Sequence, residues 1–288
     1  MVRITDWSLV QVQAPPPSIS TFREVLFCYD VSMQLKTVQW NIGGGNIRET
    51  DAQADEPRSY SHEGLQYISN ELVVLQPDIV TLQETHEKSD YNQVAILADA
   101  LGYKYWFNDT YADSHISEGF KLGQGVISKF PISNHKFGLF FNPHYKAEWE
   151  DGLIAMSHDK GLSSCSISVN DEVLSLHTLH AIPFRAFEID PLSEKATPVL
   201  QDMQKKIKNN ATHMLLQGDF NLNNQSLKTL LPKIFFDGTE EAIQELPTTP
   251  KGRFYDHIVY RGLKLVSTTA NSGALTDHYP IISTFDLY

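Results

Sequence analysis

Cysteine is nearly absent from this 288-residue chain: only Cys28 and Cys165 occur, with no metal-ligand spacing. That excludes a disulfide-stapled scaffold and a Cys/His zinc cage, and both residues read as small apolar side chains. Basic residues are also scarce. Against 35 Asp and Glu stand 23 Lys and Arg, a formal net charge of −12. A molecule of that sign repels phosphate backbones as a whole, so a nucleic-acid ligand needs a local basic patch or bound metal cations. Passive nucleic-acid binding is disfavoured, whereas an enzyme that recruits a divalent metal is not. No apolar run is long enough to span a bilayer, and the N-terminus lacks a basic segment followed by an uninterrupted apolar stretch. A cytoplasmic protein is expected. Repeats and low-complexity arrays are missing as well.

The 41% hydrophobic content supports one large domain or two modest ones. Residues 1–33 read as an N-terminal extension, because Ala14-Pro15-Pro16-Pro17-Ser18 continues neither a helix nor a central strand. A domain is expected over 34–288. Leu35, Val38 and Trp40 frame a strand that ends in Asn41-Ile42-Gly43-Gly44-Gly45-Asn46, whose glycines read as a flexible loop in preference to a phosphate cradle. Helical spacing of Leu65, Ile68, Leu72 and Leu75, with Ser61 as N-cap and Pro77 as stop, predicts the first helix. Val94, Leu97, Ala98 and Leu101 predict a second, closed by Gly102. The aromatics from Tyr103 to Tyr111 read mostly as core, and residues 133–160 as a loop that shapes specificity. On the strand from Val173 to His180, odd separation sends His177 and His180 to opposite faces, with His180 favoured for a site.

The chemistry follows the apolar runs. Met214-Leu215-Leu216-Gln217 breaks at a turn at Gly218 and presents Asp219 and Asn221, a carboxylate and a carboxamide two residues apart. Such groups on a rigid strand end suit holding a metal, positioning a water or gripping a phosphate. Alone, this stretch equally fits an ordinary strand-to-loop turn. The pattern recurs, however. Trp40-Asn41-Ile42, Leu82-Gln83-Glu84, Leu179-His180-Ala181-Ile182-Pro183, Gly218-Asp219-Phe220-Asn221, Tyr255-Asp256-His257-Ile258 and Asp277-His278-Tyr279-Pro280 follow one another in that order. Together they resemble the motif set of the endonuclease/exonuclease/phosphatase superfamily, over about residues 35–288.

The resemblance implies an α/β (α+β), DNase I-like four-layer sandwich: two mostly antiparallel sheets face to face, helices outside, and a site where strand ends converge. It implies hydrolysis of phosphate esters with Mg²⁺ or Mn²⁺, for which hard oxygen donors are suited. Carried over by residue, Glu84 matches the principal metal ligand, Asn41 the residue beside it, and Asp277 a second metal-proximal carboxylate. Asp219 matches the group that orients or deprotonates the attacking water, and Asn221 the group that holds the phosphate or that water. His278 matches the histidine set against the phosphate, Asp256 its carboxylate partner, and His180 the histidine of DNase I-like members. Which of His180 and His278 is acid and which is base stays open. Lys160, Arg185 and Arg253 are the candidates for contacting substrate phosphate. The Asp-His-Tyr-Pro and Leu-His-x-x-Pro stretches resemble DNase I most, which favours a nuclease with nucleic acid as its substrate. A phosphatase or phosphodiesterase acting on a phosphoinositide, sphingomyelin-like or other small phosphorylated substrate is the alternative, and an inactive binding scaffold the third reading.

Overall fold

Period-two alternation sets the architecture. In β1 (Met33–Asn41) Leu35, Thr37, Gln39 and Asn41 leave one face while Val38 and Trp40 leave the other, and both faces are buried. The computed structural model describes residues 33–49, 60–148, 152 and 154–288, and residues 32–288 form one unit. The expected extension therefore lies outside the described residues, except for Met33, which pairs with Leu287.

The other principal strands are β2 (Ile79–Lys88), β3 (Tyr105–Asp113), β4 (Lys121–Ser128), β5 (Ile132–Leu139), β6 (Gly161–Val169), β7 (Glu172–His180), β8 (His213–Asp219), β9 (Asp256–Arg261), β10 (Lys264–Ala270) and β11 (Ile281–Leu287). One seven-stranded sheet runs β10-β11-β1-β2-β4-β3, completed by the short strand Tyr91–Asn92 beside β2. A six-stranded sheet runs β9-β8-β7-β6-β5, with Glu240–Glu241 outside β9. Within these two sheets only β1 with β2 and β7 with β8 are parallel.

Helices α1 (Leu65–Leu75) and α2 (Gln93–Leu101) pack Ile68, Leu72, Val94 and Leu97 against Val38, Trp40 and Val80 of the first sheet. Helix α3 (Thr197–Ile207) packs Val199 and Met203 against Leu179 and Leu216 of the second. The sheets meet through Leu35, Ile79, Leu174, Leu215, Ile258 and Phe285. That is the expected four-layer sandwich. No helix among the described residues is long and apolar enough to cross a membrane.

The interior between the sheets is graded along the strands. Apolar Leu35, Ile79, Leu174 and Leu215 give way on the same face to Thr37, Thr81, Gln39, Gln83, Thr178 and Gln217, and then to the charged end. The polar tier is satisfied internally: Gln83 donates to Gln39 Oε1 at 3.0 Å and to Thr178 Oγ1 at 2.9 Å, and Gln217 donates to Thr37 Oγ1 at 2.9 Å. Partnered amides of this kind cross-link the sheets without leaving a buried donor orphaned.

Several local expectations are corrected. Ser61 lies in the short strand Tyr60–Glu63, and α1 starts after Gly64, with Glu63 Oε1 accepting from the Leu65 N–H at 3.0 Å. Gly64 is needed there because a Cβ would sit 2.4 Å from Ile47. The three successive glycines are neither loose nor a cradle: they form a buried 3-10 turn packed against Asp277, His86 and Gln93. Residues 133–160 are loop only in part: 133–139 belong to β5, an edge strand whose Asn134, His135 and Lys136 are exposed and hide the alternation, and Lys146–Glu148 pairs with Ile154–Met156, while 140–145 and 157–160 are irregular. Tyr105 and Trp106 are exposed instead of core. Gly218 is not a turn. It lies within β8, pressed so closely on β7 that a Cβ would approach Leu179 O to 2.3 Å, and the chain turns only at Asn221, with φ 52°.

Candidate active site

Strand register assembles the polar cluster. Asp219, the last residue of β8, is paired with His180 on one side and Asp256 on the other, and Asn41 ends β1 level with Gln83. Glu84 enters through a bulge in β2 between Gln83 and Thr85, with φ 53°. A bulge redirects one side chain out of the strand alternation, here at the cost of left-handed backbone on a non-glycine residue. His278 comes from the loop before β11, whose His278 carbonyl accepts from Trp40 Nε1 at 3.1 Å and Thr276 Oγ1 at 2.6 Å.

Asn41 Nδ2 donates to Asp219 Oδ2 at 3.0 Å, and the Asn221 N–H donates to Asp219 Oδ1 at 2.8 Å. The Asn221 amide itself donates to Ala181 O at 3.0 Å. His278 Nδ1 meets Asp256 Oδ2 at 2.7 Å, and Gln39 donates to the other Asp256 oxygen at 3.0 Å. The opposite ring nitrogen, Nε2, lies 3.8 Å from Asp219 Oδ2. Burial opposes a charge on His278, but Asp256 and Asp219 outweigh it and hold its pKa well above the ordinary histidine value. Burial also pushes Asp219 up, to about 7, with Asp256 adding to the shift and His278 and Asn41 opposing it. For Glu84 burial is likewise the largest influence, yet Lys160, His115 and His278 overcome it and the carboxylate is held below its usual range.

Lys160 is buried beside His180, its Nζ 3.0 Å from Nδ1 and 3.2 Å from Nε2. Burial lowers its pKa to about 8, while Glu84 and Asp219 support its charge. Tyr111 Oη also reaches His180 Nδ1, at 2.8 Å. Burial, then Lys160, drive His180 well below the usual histidine pKa, so its imidazole is neutral; Nε2 faces Asp219 at 3.5 Å and Glu84 at 3.7 Å.

Asp277 is half-buried, and its buried Oδ1 has no hydrogen-bond partner among the described residues. A Cβ on Gly43 would lie 2.9 Å from that oxygen. A second grouping, Asp219, Asp256 and His278, has ligand atoms within 4.8 Å of one another. Its His278 Nδ1 is already committed to Asp256, and a cationic imidazole repels a metal. Glu84, Asn41 and Asp277, the oxygen donors expected from the sequence, stand outside that grouping, and Asn41 Oδ1 accepts from the Gly43 N–H at 3.0 Å. Arg185 is exposed and Arg253 half-buried; neither side chain makes a hydrogen bond or ion pair among the described residues, so of the three expected phosphate contacts only Lys160 joins the cluster.

Residues 38–278 match the model of the Endonuclease/Exonuclease/phosphatase family. The chain belongs to that family. Among relatives of the family chain, a UPF0294 protein of Vibrio campbellii (strain ATCC BAA-1116) is 28% identical over 208 residues, covering 68% of this chain and 66% of the relative. The endonuclease/exonuclease/phosphatase structure from Beutenbergia cavernae DSM 12333 aligns with TM-score 0.67 at 16% identity, over 88% of this chain and 72% of that one. D. rerio TDP2, solved in complex with a single-strand DNA product, aligns with TM-score 0.55 at 16% identity, over 88% and 98% respectively. At such identities the structural likeness establishes the shared sandwich.

Sequence reasoning missed Tyr111, Gln39 and the direct Lys160–His180 contact as parts of this end of the family fold. Tyr111 stood in an aromatic run that reads as core, and only the pairing of β3 with β4 brings it to the site. His177 and His180 do leave opposite faces of β7. His177 is buried away from the site, with Asn209 Nδ2 donating to its Nε2 at 2.7 Å and Ser164 Oγ 2.9 Å from its Nδ1. This pattern fits only a neutral ring, and burial holds its pKa down at about 4 against the ordinary 6.5. The stabilisation is thus complete above pH 6.5 and lost as pH falls from there towards 4, up to ~3 kcal/mol. His177→Ala is expected to lower the melting temperature at neutral pH, to flatten its acid dependence in that window, and to leave turnover nearly intact. Losing activity without losing stability would contradict this. His180→Ala is expected to lower the rate ~10²–10⁴-fold. It is also expected to cost stability, because Lys160 and Tyr111 lose a buried partner.

Proposed function

We propose that the chain hydrolyses phosphate esters by in-line attack of water with a divalent metal, Mg²⁺ or Mn²⁺, and that its substrate is a nucleic-acid phosphodiester. The observation that carries the hydrolase reading is Asp219, held by Asn41 and Asn221 while facing the His278 imidazolium that Asp256 supports. A fixed carboxylate beside a fixed cation is what an attacking water and a charged phosphate require.

In this reading Asp219 orients the water or takes its proton, Asn221 holds the water or a phosphate oxygen, and His278 neutralises charge on the phosphate. Glu84, Asn41 and Asp277 would hold the metal, and the Asp277 oxygen left without a partner among the described residues is the feature that fits it. When bound, the metal acts as a Lewis acid on the phosphate oxygens. Lys160 adds a buried positive charge on the His180 side, and His180 and His278 share the proton traffic to the leaving oxygen. A cytoplasmic location belongs to the same proposal.

The nucleic-acid preference rests on the DNase I-like Asp277-His278-Tyr279-Pro280 stretch and on a structural neighbour solved with a DNA product. The test is turnover of plasmid DNA, single-stranded oligonucleotides, phosphoinositides and sphingomyelin with Mg²⁺. Cleavage of the DNA substrates with little turnover of the lipids is expected. Lipid phosphate release without DNA cleavage would overturn the nuclease reading, and turnover of none would overturn both.

A further inference from the structure

Bulk acidity leaves a nucleic-acid ligand a local basic patch or bound metal cations to find, and the Arg185 and Arg253 side chains make no hydrogen bond or ion pair with the catalytic cluster among the described residues. Such a patch exists elsewhere. Along the outer face of α3 lies a groove of about 450 Å³ lined by Lys205, Lys208, Lys233, Phe235 and Phe236, with Gln201 and Gln204 beside them. The three lysines are exposed and make no ion pair among the described residues. The floor is fixed: buried Gln204 accepts from the Lys233 N–H at 2.8 Å, tying α3 to the 3-10 turn Pro232–Ile234. Cations also flank both phenylalanines, with Lys228 Nζ 5.7 Å from the Phe235 ring centre and Arg261 5.0 Å from that of Phe236.

A second depression of about 360 Å³ shares Gln201 and Lys205 with the first and ends at exposed Phe141. Its acid, Asp202, is already bound by Lys206 at 2.6 Å and by the Phe141 N–H at 2.7 Å. The two depressions form a track along α3, cationic where Lys205, Lys208 and Lys233 line it, with Phe235 and Phe236 at one end and Phe141 at the other. An 11-residue helix gives it a length of ~16 Å. Lysines at a helix C-terminus are ordinarily explained by the helix dipole, but that accounts for Lys205 and Lys206 and not for Lys233, which arrives from another element.

We infer that this α3 track is an accessory binding site for a single-stranded nucleic acid, separate from the catalytic cluster. The extended shape, the lysines that form no ion pair among the described residues, the exposed Phe141 ring and the half-buried Phe236 ring beneath Lys208 and Arg261 together match how single strands are held, with phosphates on cations and bases against aromatic side chains. The inference deepens the nucleic-acid reading above, and its test is run without metal so that binding and hydrolysis fail separately.

The experiment is fluorescence anisotropy of a labelled single-stranded oligonucleotide against the full chain in EDTA, over a series of salt concentrations. The K205Q/K208Q/K233Q variant is expected to bind about tenfold or more weakly, with the salt slope reduced by about 2. Phe236→Ala should weaken binding with no change in salt slope. A control with the same charge change elsewhere, K104Q/K129Q/K264Q, should bind within about twofold of the parent. Hydrolysis of a small chromogenic phosphodiester with Mg²⁺ should be unchanged in the α3 variant. Equal weakening in the control would reduce the effect to net charge and overturn the site. So would unchanged oligonucleotide affinity in the α3 variant, or binding only to vesicles of anionic lipid.

Discussion

Asp256→Asn and His278→Ala are each expected to lower kcat ~10²–10³-fold, and the double variant to be little worse than the worse single one. The reason is the 2.7 Å contact between His278 Nδ1 and Asp256. Without the Asp256 charge the imidazole loses the largest of the carboxylate supports that hold its proton against burial, so the cation facing Asp219 is weakened even though the ring is present. Removing the ring makes the carboxylate redundant. Residues acting as one unit fail together, and a double variant whose losses multiply would show that they work separately. Asp256→Asn should also shift the pH dependence of activity, since His278 would lose its proton at lower pH. A merely structural role for Asp256 would leave the profile in place.

Glu84→Gln is expected to reduce activity at least ~100-fold while the melting temperature changes little, and excess Mg²⁺ should restore part of it. Gln keeps the shape of the bulged residue and removes the charge that a cation needs. The buried Lys160 then loses one of the two carboxylates supporting its own charge, so its pKa should fall further below about 8. A Glu84→Gln variant with wild-type activity and metal response would remove Glu84 from the metal site. Asp277→Asn is expected to raise the Mg²⁺ concentration needed for half-activity, because an amide replaces the unpartnered oxygen.

How far the sequence anticipates this structure depends on what each residue needs from its neighbours. Asn41, His180, Asp219 and Asp256 are terminal residues of apolar strands, and their places follow from local alternation alone. The same alternation, read one step further back, carries the glutamine and threonine tier: Thr37 and Gln39 on β1, Thr81 and Gln83 on β2. Those residues look like solvated strand positions until a second sheet covers them. Glu84 is harder, because a bulge is invisible in hydrophobic pattern and simple alternation would send Glu84 to the face opposite Gln83. Tyr111 and Lys160 are harder still. One comes from the first sheet and the other from the residue just before β6 in the second, so nothing local links them to His180. Arg185 and Arg253 are close in sequence to His180 and Asp256, yet their side chains make no hydrogen bond with that cluster among the described residues.

On the proposed reading, the Glu84 end of this sandwich uses a divalent metal to hydrolyse phosphate esters. The most direct measurement is hydrolysis of a phosphodiester substrate by chelator-stripped protein during stepwise addition of Mg²⁺ or Mn²⁺. No turnover is expected in EDTA, with saturable recovery on adding either metal and a recovery curve displaced to higher metal concentration in Glu84→Gln. Full activity in EDTA, or recovery curves that coincide for the two proteins, would contradict it.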